Sequence, residues 1–177
     1  MSLDLRFQAV RSVLPGRPDR SAVDLELGSG RRVALIGGSG EGKSLLCRLA
    51  MGLPPRPPLA WEGSITLDER TIEPSALTPL RGWQIQWLPQ GGRESLVPGW
   101  SLDRHIAHLA ADRRDAILTR MQALGLTPDA RVLGADAVRL SEGMIRRFLL
   151  AVATSGAPEL LVLTSPPPAS TRPRGRR

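Results

Sequence analysis

A glycine-rich run that joins an apolar stretch to a helical one constrains this chain more than any other feature. Arg32-Val33-Ala34-Leu35-Ile36 is short and continuously apolar after its first residue, the pattern of a buried strand. Gly37-Gly38-Ser39-Gly40-Glu41-Gly42-Lys43-Ser44 follows, and Ser44 to Met51 reads as a helix. The spacing is Gly, four residues, then Gly-Lys-Ser, in the strand–turn–helix context of a phosphate-binding loop. Glycine permits positive φ, which lets successive backbone N–H groups converge on anionic oxygens. The helix that follows adds the partial positive charge of its N-terminus. Lys43 is placed to reach the β- and γ-phosphates of a nucleotide, and the Ser44 hydroxyl to ligate Mg2+. With them, Gly37, Ser39, Gly40, Glu41, Gly42 and Leu45 are the candidate nucleotide-binding residues.

Composition sharpens this reading. Lys43 is the only lysine among the 24 Lys and Arg residues. A compact ammonium fits inside such a loop where a guanidinium fork does not. Tyr and Asn are absent and Arg almost wholly replaces Lys, as expected of a GC-rich bacterial genome, whose codons supply Arg, Ala, Gly and Pro readily. The formal net charge of +7 invites a nucleic-acid reading. However, Arg172, Arg174, Arg176 and Arg177 all lie in the last residues, and residues 1–163 carry a net of only +3. The tail has no aromatic residue on which a base could stack, so no nucleic-acid partner is expected. At 41% hydrophobic and 23% charged residues, the chain is globular rather than disordered. Its longest apolar run, Phe148 to Ala153, is far too short to span a bilayer. The first residues carry no signal pattern, and the single Cys47 makes no internal disulfide, so a reducing cytosol is expected.

Along the chain, Leu3 to Val10, Val23 to Leu27, Ser64 to Leu67, Ile85 to Leu88 and Leu160 to Leu163 read as strands. The last of these has the continuous apolar pattern of the buried type. Between them, Leu102, Ile106 and Leu109 share one helical face, and Ile117, Met121 and Leu124 another. A further helix spans about Met144 to Thr154, stopped by Gly156 and Pro158. Strands, a helical insert and a returning strand imply an α/β core with a helical subdomain.

Further landmarks occur in a telling order. Pro89-Gln90 follows a strand, Leu140-Ser141-Glu142-Gly143-Met144 opens a helix, and Leu160-Leu161-Val162-Leu163 closes the apolar pattern. With the glycine-rich loop, these resemble the Walker A, Q-loop, signature and Walker B elements of ATP-binding cassette (ABC) transporter ATPases. Leu80-Arg81-Gly82, Ser95-Leu96-Val97-Pro98 and Gly143-Met144-Ile145-Arg146-Arg147 look most like the ATPases of di/oligopeptide and nickel importers. The resemblance implies a P-loop NTPase (RecA-like) core with an inserted helical signature subdomain, C-terminally incomplete. The expected division is an ATP-binding core over 1–90, a helical subdomain over 91–157, the Walker B strand over 158–163 and a basic tail over 164–177. It also implies ATP and Mg2+ as cofactors, with Gln90 contacting the metal and the attacking water. Ser141 and Gly143 would close on the γ-phosphate of a second ATPase subunit. Transmembrane permease subunits are the implied partners, at the cytoplasmic face of the inner membrane.

Three departures qualify the resemblance. The family stacks an N-terminal aromatic on adenine, whereas the only nearby aromatic here, Phe7, lies in an alternating strand and reads as core. Glu142 replaces a signature glycine and brings a carboxylate toward the γ-phosphate. After Leu163 the family has Asp-Glu-Pro-Thr, but this chain has Thr164-Ser165-Pro166-Pro167, so the metal anchor and the general base are both missing. His105 and His108 precede the signature and read as helix-face residues, not as the family's histidine switch.

Three functions follow: an importer ATPase, a non-hydrolysing remnant of one, and a nucleic-acid binder using the basic tail. A single lost nucleotide accounts for the third departure. Thr164 to Thr171, with the first two nucleotides of Arg172, can be written in GC-rich codons that, with one G restored in front, read Asp-Glu-Pro-Thr-Ala-Gly-Leu-Asp-Pro. The DNA through and beyond codon 163 is therefore predicted to use those codons and to continue the family pattern in the shifted frame. Codons incompatible with that string reject the frameshift.

Overall fold

The computed structural model describes residues 3–16, 21–38, 40–55, 57, 59–88 and 91–164. Its contacts divide them into two compact units, one of residues up to Gln86 with 157–162, the other of Trp87–Gly156 with the residues from Leu163.

The first unit is built on an antiparallel sheet of β1 (Leu5–Val13), β2 (Val23–Leu27), β3 (Ala60–Leu67) and β4 (Arg70–Ile72), in the order β2-β1-β3-β4. In β1 the buried residues are Leu5 and Phe7, then Val10 and Ser12, so the inward parity changes halfway along. A strand keeps one parity unless an extra residue is inserted. The insertion is at Ala9, where the register with β2 and β3 shifts. Ala9 sits at φ 50°, and its N–H donates to Asp24 Oδ1 at 2.7 Å, which replaces the lost ladder bond. Opposite it, Gly63 has φ 113°, and a Cβ there would come within 2.6 Å of the Gln8 carbonyl oxygen. Only glycine fits that approach.

Beneath this sheet, helix α1 (Lys43–Ala50) buries Leu45, Leu46, Leu49 and Ala50. They join Leu5, Phe7, Val10 and Ile65 from the sheet, and Leu77 from the 3-10 turn over Pro74–Leu80, in one core. Phe7 is 1% exposed. It is a core residue, as its alternating strand implies, and presents no face on which adenine could stack.

Two expected strands differ in the structure. Residues 32–36 form no strand, and Val33 and Ile36 are 44% and 92% exposed. Strand β6 (Leu160–Leu163) forms but buries only Val162, with Leu163 55% exposed. The shared reason is that a strand is completed by its neighbours. Among the described residues, β6 pairs only with β5 (Ile85–Leu88), and no strand lies beside 32–36. An apolar run without a partner strand on either side cannot bury itself. Leu35 alone reaches the core.

The second unit contains α2 (Leu102–Leu109), α3 (Arg114–Ala123), α4 (Ala130–Leu133) and α5 (Glu142–Ser155). Side chains start three of these helices: Ser101 accepts the Arg104 N–H, Asp129 the Val132 N–H and Ser141 the Met144 N–H. Leu102, Ile106, Ile117, Met121, Ile145 and Phe148 are fully buried together. Leu109 leaves the expected face and is 54% exposed, because α2 ends there and the chain turns inward at the buried Ala110. His105 lies in this core, where its Nε2 accepts the Val97 N–H at 2.9 Å and its Nδ1 donates to the Ser101 carbonyl at 2.8 Å. Both ring nitrogens are thereby satisfied with the imidazole neutral. His108 is exposed on α2 beside Trp100.

Substituting Gly63→Ala is predicted to lower the stability of the chain by about 1–3 kcal/mol, the cost of a strained positive-φ backbone. Urea unfolding checks this, with Gly28→Ala, where a Cβ meets nothing within 4 Å, as a near-neutral comparison.

Candidate phosphate-binding site

The glycine-rich loop leads directly into α1. Gly42, at φ 90°, is the N-cap of that helix, and no side chain caps it. An uncapped helix start leaves its first N–H groups available to an anion. Gly40 also has positive φ, at 85°, a conformation glycine adopts without steric cost. The Lys43 ammonium folds back over the loop, donating to the carbonyl oxygens of Gly37, at 2.8 Å, and of Gly38. Ser44 is exposed in the first turn of α1, and Leu45 is anchored in the core below. Ser39 lies outside the described residues.

The most informative contact is made by Glu41. Its Oε2 accepts the Gly38 N–H at 2.6 Å, and a Cβ placed on Gly37 would collide with the same oxygen. The loop therefore already offers a backbone donor to an oxyanion, here supplied by its own carboxylate. This fits a phosphate ligand. The donors for Mg2+ are sparser. Ser44 offers a hydroxyl, and no cluster of three His, Cys, Asp or Glu able to hold a metal occurs among the described residues. Cys47, on α1, is half-buried, and burial pushes its thiol up, so it acts as a small apolar group rather than a nucleophile.

In the other unit, Ser141 Oγ accepts the Met144 N–H at 3.2 Å and starts α5. Gly143 is exposed in the first turn, and a Cβ there would meet only Ser141 Oγ, at 4.0 Å. That leaves the backbone open to close approach. The Glu142 carboxylate turns toward Gly92, where a Cβ would stand 2.6 Å from its Oε1, and toward Arg146 one helical turn on. One residue here escapes sequence reasoning. Arg93 donates through Nη1 and Nη2 to the carbonyls of Ala137 and Leu140, tying the segment before the signature to the turn at Gly92. Its partners lie 44 and 47 residues away, so no local pattern points to them.

Gln90, Ser165 and the basic tail lie outside the described residues. Thr164 is described. Its N–H donates to the Leu88 carbonyl at 3.1 Å, continuing the β5–β6 pairing, and its hydroxyl donates to the same oxygen at 3.3 Å. The side chain standing where the resemblance expects a metal-organising carboxylate is thus neutral and turned back onto a neighbouring strand. The two candidate groups, residues 37–45 and 141–143, belong to different units.

The sequence pattern of the ABC transporter family matches residues 21–166. A nickel import ATP-binding protein of Rhodospirillum rubrum is 35% identical over 138 residues, covering 74% of this chain and 52% of the relative. The ATP-binding protein of a metal-staphylopine import system of Staphylococcus aureus is 26% identical, covering 93% of this chain and 64% of that protein. The chain thus spans little more than half the length of the curated relatives it matches. Among solved structures, a bacterial Atm1-family ABC exporter with ATP bound superposes with a TM-score of 0.66 at 20% identity, over 92% of this chain and 29% of that one. This last likeness concerns the fold, a P-loop NTPase core. With a family match across most of its length and a phosphate loop of the required form, the chain belongs to the ABC transporter family.

Proposed function

We propose that the chain is an ATP-binding subunit of an ABC importer, with a metal such as nickel as the cargo and peptide as the alternative. The observation that carries the reading is the phosphate loop, which holds an oxyanion on a backbone N–H in front of an uncapped helix. The names of the curated relatives, nickel import and metal-staphylopine import ATP-binding proteins, support the cargo class. In this reading Lys43 neutralises the β- and γ-phosphates, Ser44 contributes to Mg2+, and Gly37, Ser39, Gly40, Glu41, Gly42 and Leu45 supply backbone contacts. Gln90 meets the metal and the water, while Ser141 and Gly143 approach the nucleotide held by a second ATPase subunit. Permease subunits complete the importer, with this chain peripheral on their cytoplasmic side. No helix among the described residues is long and apolar enough to cross a membrane.

The binding step is tested by displacement of a fluorescent nucleotide with ATP. Replacing Lys43→Ala removes a charge-assisted contact and is expected to weaken ATP binding about ten- to a hundredfold. Unchanged binding rejects the assignment.

A second reading is favoured by Thr164. Hydrolysis needs a carboxylate to organise the metal and another to polarise water, and Thr164 and Ser165 supply neither. We therefore propose that this chain binds ATP without turning it over. Phosphate release in ATP and Mg2+ is expected to match buffer alone. Turnover that disappears in Lys43→Ala overturns this second reading and leaves the importer ATPase in place.

A further inference from the structure

We propose that Glu41 is a built-in competitor for the phosphate loop, so that a nucleotide enters only by displacing its carboxylate. The proposal rests on the nucleotide-binding reading and deepens it.

Four observations support it. Glu41 Oε2 accepts the Gly38 N–H at 2.6 Å, so a donor at the mouth of the loop is already engaged by an anion. The same carboxylate lies over both leading glycines. A Cβ on Gly37 would collide with it, and one on Gly38 would stand 3.0 Å from Oε1. The Lys43 ammonium, the cation a phosphate needs, is held meanwhile on the carbonyls of Gly37 and Gly38. Finally, Glu41 is exposed, so its side chain is free to swing outward when a stronger anion arrives.

The chemistry is mutual exclusion. One N–H cannot give a full hydrogen bond to two anionic oxygens, and two like charges at that spacing repel. After swinging out, the carboxylate still rides on the loop backbone, a few ångströms from any bound phosphate. Repulsion scales with ligand charge, so the penalty is larger for free ATP than for ATP with Mg2+, which carries less net charge. A neutral, short side chain at position 41 would remove both the competition and the repulsion. Glu41 is thus a specificity-determining residue. It weakens binding of highly charged polyphosphates and raises the dependence of binding on Mg2+.

The test measures ATP affinity by nucleotide displacement for the wild-type chain, Glu41→Gln and Glu41→Ser, each in EDTA and in Mg2+. Far-UV circular dichroism confirms that the variants fold, and Glu41→Gln, which keeps the size of the side chain, guards against a purely steric effect. Glu41→Ser is expected to bind roughly tenfold tighter than wild type, from the lost hydrogen bond and the lost charge together. Glu41→Gln should fall between them, and the gap to wild type should widen in EDTA. Both variants binding no tighter than wild type, while all three bind ATP measurably, overturns the competitor role alone. Folded chains of all three kinds that bind no ATP overturn the nucleotide reading and the proposal with it.

Discussion

Burial of one face of α1 is the constraint on which the phosphate loop depends. Leu45, Leu46, Leu49 and Ala50 lock the helix against Leu5, Phe7, Val10 and Ile65 of the sheet. Each fully buried large side chain contributes about 1.5–3 kcal/mol relative to exposure, so the helix axis is held far more firmly from below than at its start. The start itself has no side-chain cap. A helix anchored this way can keep its first N–H groups unsatisfied by protein, because packing rather than capping sets its position. Three helices of the other unit contrast with it, with Ser101, Asp129 and Ser141 capping their starts, while α3 also begins without a side-chain cap. At Gly42 the uncapped start coincides with a glycine-rich loop whose Gly38 N–H already holds a carboxylate oxygen, a combination suited to an anion.

Carboxylates distinguish this chain from a plain phosphate loop. Glu41 sits on the loop's own donor, and Glu142 stands in the first turn of α5. Their neighbours decide what each does. Glu142 is turned toward Gly92 and Arg146, within its own unit. A carboxylate in the first turn of a helix is also favoured by the helix dipole, so Glu142 has a structural reason for its place. Glu41 precedes its helix and faces the loop, where its Oε2 accepts the Gly38 N–H. Where acidic groups would serve hydrolysis, at Thr164 and Ser165, the chain has hydroxyls. The charge pattern is therefore that of a loop with an anion already seated on its donor, and of a chain with neutral hydroxyls after Leu163.

Much of this was readable in the sequence, and the reasons can be given residue by residue. The loop was legible because the required chemistry is local: glycines, one lysine and one serine at fixed spacing, before a helix. Ser141 as a helix start was legible for the same reason, since an N-cap bonds a residue three positions on. Phe7 was legible as core from the alternation of its strand. Arg93 was not, because its acceptors are distant carbonyls, and an exposed-looking arginine in a polar loop carries no mark of them. The bulge at Ala9 was hidden by a pattern of apolar residues that reads as simple alternation unless the partner strands are known. The strand expected at 32–36 does not form. Its composition is that of a buried strand, but burial is a property of neighbours.

What the sequence determined by itself, then, is what is encoded within a few residues of one another: the glycine-rich turn, the helix that follows it, the cap of α5, and the hydroxyl pair after Leu163. Those features depend on bond geometry and side-chain chemistry that travel with the local chain. Only the tertiary structure decided which apolar runs are inside, how Arg93 ties the signature segment, and that the Glu41 carboxylate lies on the Gly38 N–H. The physical reason is that these contacts depend on which groups folding brings near and on how a side chain turns among several acceptors. Spacing along the chain records neither.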